Sequence, residues 1–293
     1  AGGVLMGLYG LMASWNVNGF IGARFSEEGY RFQGSIGNPA YVAVYALFLI
    51  FYCLYLIFEK KGQKIFSGRN IGLFLLIAFF AGIFFLAGTR GAFLGLGTAG
   101  VALLAYIGFS YKRFRLKMAG LILLLLIIGG GLIYFQDSAF VKSIPGSRTF
   151  AISISANTFQ DRITIWKMAW DGFLARPIFG WGPENFIRIF DAHFNTAYFN
   201  PEAGFGSWFD RAHSVIFDYL AETGIVGFIS YVSMFVAFYI MFFRRKDNGG
   251  ANGFFDVALR GLFFAIPLAY FVQGLVLFDV SVTYLNLFTV LAL

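Results

Sequence analysis

The chain is a succession of apolar runs divided by short charged stretches, with one long polar and aromatic insertion. Runs fall at 1–15, 39–58, 70–88, 91–111, 118–135, 225–243, 254–278 and 279–293. A spanning helix needs ~20 predominantly apolar residues, so the interior runs are of spanning length and the first and last are short. No run repeats another at a fixed period, and no low-complexity linker separates domains. The pattern therefore predicts an all-α polytopic membrane protein with about eight apolar segments. N-terminal transmembrane helices occupy 1–135, a large external loop 136–213, and C-terminal transmembrane helices 214–293, together one membrane domain. Pro39 after Asn38 marks a helix start, with Asn as N-cap and Pro at the first helical position. Gly129-Gly130-Gly131 inside the fifth run is either a site of close helix packing through small residues or a hinge.

Composition agrees with that class. Hydrophobic residues make up 59% and charged residues 13%, with a mean hydropathy of +0.73, whereas a soluble domain carries about 25% charged residues. The lone Cys53 lies within an apolar run, so no disulfide framework exists. The chain begins Ala1-Gly2-Gly3 and stops at Leu293 within an apolar run, and it reads as part of a longer protein truncated at both ends.

Charge sets the topology. Lys60, Lys61, Lys64 and Arg69 follow the second run, Lys112, Arg113, Arg115 and Lys117 the fourth, and Arg244, Arg245 and Lys246 the sixth. With Glu59 and Asp247 as their only acids, these loops carry +9 against +7 for the whole chain. The positive-inside rule makes them cytoplasmic. Residues 16–38, the Gly88-Thr89-Arg90-Gly91 turn, the loop 136–213 and the turn near Asp279 are then external. That loop balances seven basic against seven acidic residues, so the pI of 9.5 reports topology and no nucleic acid partner is expected.

Within the loop, residues 160–174 predict a helix lying along the membrane surface. Ile163, Trp166, Ala169, Trp170, Phe173 and Leu174 recur at helical spacing, with Asp161, Thr164, Lys167 and Asp171 opposite. Arg162 breaks the division by projecting with Trp166, Ala169 and Phe173. An arginine there either snorkels to the headgroups or aims its planar fork of donors at a phosphate. Arg90 poses the same choice between an interfacial anchor and a phosphate ligand, because it places a cation at the already positive end of a spanning helix. Arg31 is either an exposed loop cation or a further contributor to the external site.

His213 reads as the opening of the next helix, on a face with Phe217, Leu220 and Gly224. A helix N-terminus disfavours imidazolium, so a neutral histidine is expected: either a satisfied structural residue or a proton acceptor. His193 reads as structural or surface. Gly180-Trp181-Gly182-Pro183 is a turn with an interfacial tryptophan, bringing the chain back from the surface helix. There is no P-loop, no Cys/His metal spacing, no Gly-x-Ser-x-Gly and no Asp-x-Asp pair. Arginine, histidine and aromatic residues remain, a set suited to a metal-independent reaction on an anionic lipid-linked substrate.

These residues resemble the O-antigen ligase and polymerase family of polytopic glycosyltransferases. The resemblance rests on Arg31-Phe32-Gln33-Gly34-Ser35-Ile36-Gly37-Asn38-Pro39, Thr89-Arg90-Gly91-Ala92, and Arg162 with Trp166 followed by Pro177-x-x-Gly180-x-Gly182. It continues through Ala212-His213-Ser214 and Leu220-Ala221-Glu222-Thr223-Gly224-Ile225-Val226-Gly227, covering roughly 30–280. It implies a GT-C-like helical bundle in the bacterial inner membrane with its active site facing the periplasm. It implies transfer of a glycan from an undecaprenyl-diphosphate donor to an acceptor hydroxyl on a glycan, lipid or protein, with no metal or cofactor. Arg90 and Arg162 match arginines that bind the diphosphate, and His213 matches the histidine that activates the acceptor. Arg31, Trp166 and Glu222 are the substrate-binding residues it implies. Family members usually have more spanning helices than this chain supplies. A transporter or flippase for lipid-linked saccharides is the alternative, although such a protein more typically places its charges near the bilayer midplane.

Overall fold

The structure is a computed structural model that describes residues 1–14, 25–26, 31–60, 64–151, 157–194, 208–244 and 253–293. Lys61, Arg245, Lys246 and Asp247 of the basic loops lie outside the described residues, as do 16–24 and 27–30 of the first external segment and 152–156 and 195–207 of the long loop.

Helices dominate. In chain order they are α1 (Gly2–Ser14), α2 (Pro39–Glu59), α3 (Gly68–Ala87), α4 (Arg90–Ser110), α5 (Arg115–Tyr134), α6 (Ala139–Ser143), α7 (Asn157–Ala175), α8 (Phe186–Ala192), α9 (Val215–Arg244), α10 (Phe254–Gly274) and α11 (Ser281–Ala292). The described strands are β1 (Phe25–Ser26) and β2 (Arg31–Phe32), paired antiparallel. Helices α2, α3, α4, α9 and α10, and α5 with its preceding turn (Lys112–Tyr134), are long and apolar enough to cross a membrane. The chain is thus an all-α polytopic membrane protein, and α1 and α11 are the two short apolar helices at its ends.

The described residues form two compact units. The first comprises Ala1–Ile152, Lys246–Gln273 and Val280–Leu293. Its central helix is α2, which starts as the sequence predicts: Asn38 caps it by accepting from the Ala40 amide at 2.8 Å, with Pro39 in the first turn. Val42, Ala43, Ala46 and Phe48 of α2 are fully buried. Phe48 meets Tyr270 and Phe51 meets Phe263 on α10, with ring centroids 5.8 and 5.7 Å apart. Helix α5 buries none of its residues, and its leucines and isoleucines suit lipid contact. Gly129, Gly130 and Gly131 have nothing within 4 Å of an added Cβ, so close packing there does not occur among the described residues. Where α5 does approach α4 closely, Leu125 lies against Gly100.

The second unit comprises Ser153–Arg245 and Gly274–Asp279. The predicted amphipathic helix is present as α7, but it is turned relative to its predicted apolar face. Its buried residues are Ile165, Met168, Ala169 and Gly172, packed with Phe186, Ile189 and Phe190 of α8 and with Ala212 and Ala221. Trp170 and Leu174, assigned to the apolar face, are 45% and 58% exposed. The helix is apolar on two sides, and hydrophobic spacing alone does not say which side meets protein. Exposed Trp170 and Leu174 beside Lys167 suit a membrane interface.

Helix α9 is broken at Gly224, where φ is 66° and ψ is −169°. Segment 177–182 fills the break. The Trp181 and Gly182 amides donate to the Ala221 and Glu222 carbonyls at 3.1 and 2.7 Å, and the Ile225 and Val226 amides donate to Pro177 and Ile178 at 2.8 and 3.3 Å. A side chain on Gly224 would lie 2.3 Å from the Ile178 carbonyl oxygen, and one on Gly180 2.4 Å from the Glu222 carbonyl carbon. Backbone meets backbone at both places, so the spacing Pro177-x-x-Gly180-x-Gly182 is the fitting half of a clasp on Glu222-Thr223-Gly224.

Candidate functional site

In the second unit the candidate site is built around His213. The residue lies two positions before α9 with φ 57°, a left-handed conformation uncommon for a side chain other than Gly, Asn or Asp. It therefore does not open the helix, and its predicted face with Phe217 and Leu220 does not apply. Instead its ring is wedged between Phe209 and Phe278, with centroids 5.3 and 4.9 Å away. Nδ1 lies 3.2 Å from the Arg211 carbonyl oxygen. A carbonyl only accepts, so Nδ1 carries the hydrogen and Nε2 of the neutral ring holds the lone pair. Burial pushes the imidazole pKa below 6.5, and the Arg162 charge adds to this; the Arg211 carbonyl and Asp210 act the other way. Desolvation, rather than a helix N-terminus, is the principal cause that disfavours the charged ring.

The segment holding His213 is fixed from several directions. The buried Ala212 peptide donates to Asp218 Oδ1 at 2.6 Å and accepts from Trp166 Nε1 at 3.0 Å. The Trp166 ring also stacks on Phe217 at 5.3 Å with 16° between planes. Arg162, one turn before Trp166, donates from Nη1 to the Val276 carbonyl at 3.0 Å. The Val215 amide donates to Leu277 at 3.0 Å, so residues 276–278 brace both the arginine and the histidine. Arg162 does have a partner at its apolar position, the Val276 backbone carbonyl.

Beside them Arg211 pairs with Glu184, with its guanidinium 5.8 Å from the Phe278 ring. Burial opposes the Arg211 charge, but Glu184, Glu222 and Asp218 together outweigh it and raise its pKa. Glu222 is buried, and its Oε2 accepts from the Glu184 amide at 3.0 Å. Asp218 Oδ2 and Glu222 Oε1 are buried polar atoms with no hydrogen-bond partner among the described residues. Arg211 and Asp218 received no role from sequence reasoning. Arg211 stands two residues before the histidine, but only the folded loop reveals its partner.

The first unit holds Arg31 and Arg90. Arg31 donates from Nε to the Ala87 carbonyl at 3.0 Å and from Nη2 to the Thr89 hydroxyl at 2.8 Å, binding β2 to the Gly88-Thr89 turn between α3 and α4. Thr89 makes no side-chain cap to α4, so it leaves the first-turn amides uncapped. Arg90 begins that helix with Nε buried and without a partner among the described residues. Arg148, which sequence reasoning missed, also approaches this turn: its Cβ lies 3.7 Å, and Arg31 Nε 3.8 Å, from the place a side chain on Gly88 would occupy. Arg31→Lys is expected to lower thermal stability in detergent by about 1.5–3 kcal/mol, because an ammonium does not reproduce both bonds of the fork. An unchanged unfolding midpoint would contradict that role.

The structure thus brings together Arg162, Trp166, His213 and Glu222 in the second unit, and Arg31 and Arg90 in the first. No curated protein matches the chain. Residues 73–232 match the family model described as O-antigen ligase, a span that includes Arg90, Arg148, Arg162, Trp166, His213 and Glu222 and begins after Arg31. The match covers more than half of the 293 residues, and the resemblance carried by the short motifs is borne out: this chain belongs to the O-antigen ligase family, membrane proteins of O-antigen ligase-type glycosyl transfer.

Proposed function

We propose that this protein transfers a glycan from an undecaprenyl-diphosphate-linked donor to an acceptor hydroxyl at the periplasmic face of the bacterial inner membrane. His213 Nε2 takes the proton as the acceptor oxygen attacks the anomeric carbon. The bond from that carbon to the diphosphate oxygen breaks, and the diphosphate leaves with the electron pair. Arg162 offsets the charge gathering on the leaving group, and Arg90 in the first unit is the second diphosphate ligand. Arg31 sets the turn that presents Arg90, while Trp166 and Glu222 position backbone around the histidine loop. The reaction uses no metal in this reading.

One observation carries the proposal: a partly buried His213 ring whose Nδ1 lies on the Arg211 carbonyl, which leaves Nε2 to act as the base, with burial disfavouring the charged form. A base must be unprotonated to act, and burial moves the His213 pKa below 6.5. kcat/KM is therefore expected to stay flat from alkaline pH down through 6.5 and to fall only at lower pH. An inflection above 6.5 in the pH profile of the free enzyme would contradict this assignment.

The broken helix α9 is a feature shared with transporters, whose unwound backbone coordinates substrate or ion. Here four backbone groups at the break are bonded to residues 177–182. The break is thus packed by the chain's own backbone rather than left open, which supports the transferase over the flippase.

A further inference from the structure

Asp218 is a buried carboxyl that the transfer chemistry leaves without a task. It is the fourth residue of α9 and is 6% exposed. Its amide donates to the Ser214 carbonyl at 2.9 Å, which seats it on the first turn of the helix. Its Oδ1 turns back to the preceding loop and accepts from the Ala212 amide at 2.6 Å, while Oδ2 has no hydrogen-bond partner among the described residues. Burying a carboxyl for a single hydrogen bond is a poor way to stabilise a fold, because desolvation outweighs what one bond contributes. What that bond holds is therefore informative.

The Ala212 N–H and the Arg211 carbonyl belong to one peptide group, planar and trans, in which the two point in opposite directions. The N–H side faces Asp218, and the carbonyl side accepts from His213 Nδ1 at 3.2 Å. Carboxyl, peptide and imidazole thus form one chain of hydrogen bonds. The following peptide is pinned as well, since the Ala212 carbonyl accepts from Trp166 Nε1 at 3.0 Å. These two peptides lead into His213, whose φ of 57° is a conformation that persists only where the surroundings impose it.

We infer that Asp218 is a positioning residue for the base, acting on His213 through the Arg211–Ala212 peptide. The inference rests on the histidine assignment proposed above and adds what orients and supports that histidine. An acceptor on the N–H side polarises the amide and makes the Arg211 oxygen a better acceptor, because hydrogen bonds in a chain strengthen one another. The stronger carbonyl keeps the hydrogen on Nδ1 and the lone pair on Nε2. When Nε2 takes the proton of the acceptor hydroxyl, the charge on the ring is offset along the same chain. Burial disfavours that charge, which is why the ring needs such support. In Ser-His-Asp triads a carboxylate bonded directly to the imidazole fills this role. Here a peptide stands between, and its N–H only donates. Asp218→Asn therefore turns its amide oxygen to Ala212 and leaves the tautomer as it is.

The test uses full-length protein with isotope-labelled histidine, read by nitrogen NMR in detergent, so that the ring is followed independently of turnover. The His213 signals are those lost in His213→Asn. Wild type should show one neutral tautomer, with the hydrogen on Nδ1, and Asp218→Asn should keep both that tautomer and a kcat close to wild type. Asp218→Leu, similar in size but without an acceptor, should populate both tautomers. It should also lower kcat for labelled undecaprenyl-diphosphate glycan by about 10–100-fold with KM unchanged, the range for losing the group that orients an active-site histidine. Asp218→Ser, whose hydroxyl is too short to reach the Ala212 amide, should repeat this result and replaces leucine if that variant does not fold. Added to His213→Asn, neither substitution should lower the residual transfer further. A tautomer unchanged in Asp218→Leu and Asp218→Ser, a loss in Asp218→Asn as large as theirs, or a further loss on top of His213→Asn would each overturn the inference. Its failure is separable from failure of the transferase reading. Transfer by wild type with equal kcat in Asp218→Leu and Asp218→Ser removes the relay alone. No transfer by wild type to any acceptor removes the proposed reaction, and the tautomer comparison then still decides whether Asp218 orients the ring.

Discussion

Replacing His213 by alanine is expected to lower glycan transfer by about 10²–10⁴-fold, the range for loss of a general base, while donor binding persists. The expectation follows from protonation and place. Burial disfavours the charged ring, and its Nδ1 hydrogen is committed to the Arg211 carbonyl. Binding of the diphosphate is assigned to guanidinium groups, so removal of the imidazole should appear in kcat more than in donor affinity. Because His213 also fills the gap between Phe209 and Phe278, alanine alone would confuse packing with chemistry. His213→Asn separates the two. Asparagine tolerates the left-handed conformation and its amide NH₂ can donate to the Arg211 carbonyl, yet it offers no base. Both variants should be inactive, with the asparagine variant unfolding near the wild-type temperature. Normal turnover in His213→Asn would remove the histidine from the mechanism.

Gly224→Val is expected to destabilise the second unit by more than about 3 kcal/mol, combining backbone strain with a steric clash. The clash is between backbones: the new Cβ would lie 2.3 Å from the Ile178 carbonyl oxygen, at a φ of 66° that a β-branched residue does not tolerate. Relief requires segment 177–182 to leave the break, which strips partners from the Ala221 and Glu222 carbonyls and the Ile225 and Val226 amides together. Glu184, held through Glu222, would lose its place beside Arg211, so the effect should reach the histidine loop. Thermal unfolding read by tryptophan fluorescence checks this, since Trp181 lies in the clasp. Gly97→Ala, in open space on α4, is the neutral comparison, and a Gly224→Val midpoint equal to it would sink the clasp.

How much of this was legible beforehand differs from residue to residue. The spans were readable because desolvation of backbone forces long apolar helices, and Asn38-Pro39 located the start of α2 because capping is local. His213 and Arg162 stood out as polar groups in apolar surroundings, and both are partly buried in the fold. Their geometry was less visible. Extending helical spacing back from α9 put His213 on a helical face, whereas its φ of 57° ends that periodicity two residues before the helix. The break at Gly224 was hidden, because a glycine in an apolar run looks the same whether it allows close packing or a positive φ. The apolar face of α7 was misplaced because the helix has two apolar sides. Arg148 carried no local signal; it acquires meaning only when Gly146 lays its loop against the end of α3.

The central claim is transfer, and it is tested most directly with full-length protein in liposomes given labelled undecaprenyl-diphosphate glycan and glycan, lipid and protein acceptors, with a chelator present. Label and leaflet are followed together. The account predicts that label moves covalently onto one acceptor class and that lipid diphosphate is released in equal amount. Labelled lipid crossing between leaflets with its glycosidic bond intact, and no labelled acceptor of any class, would contradict it.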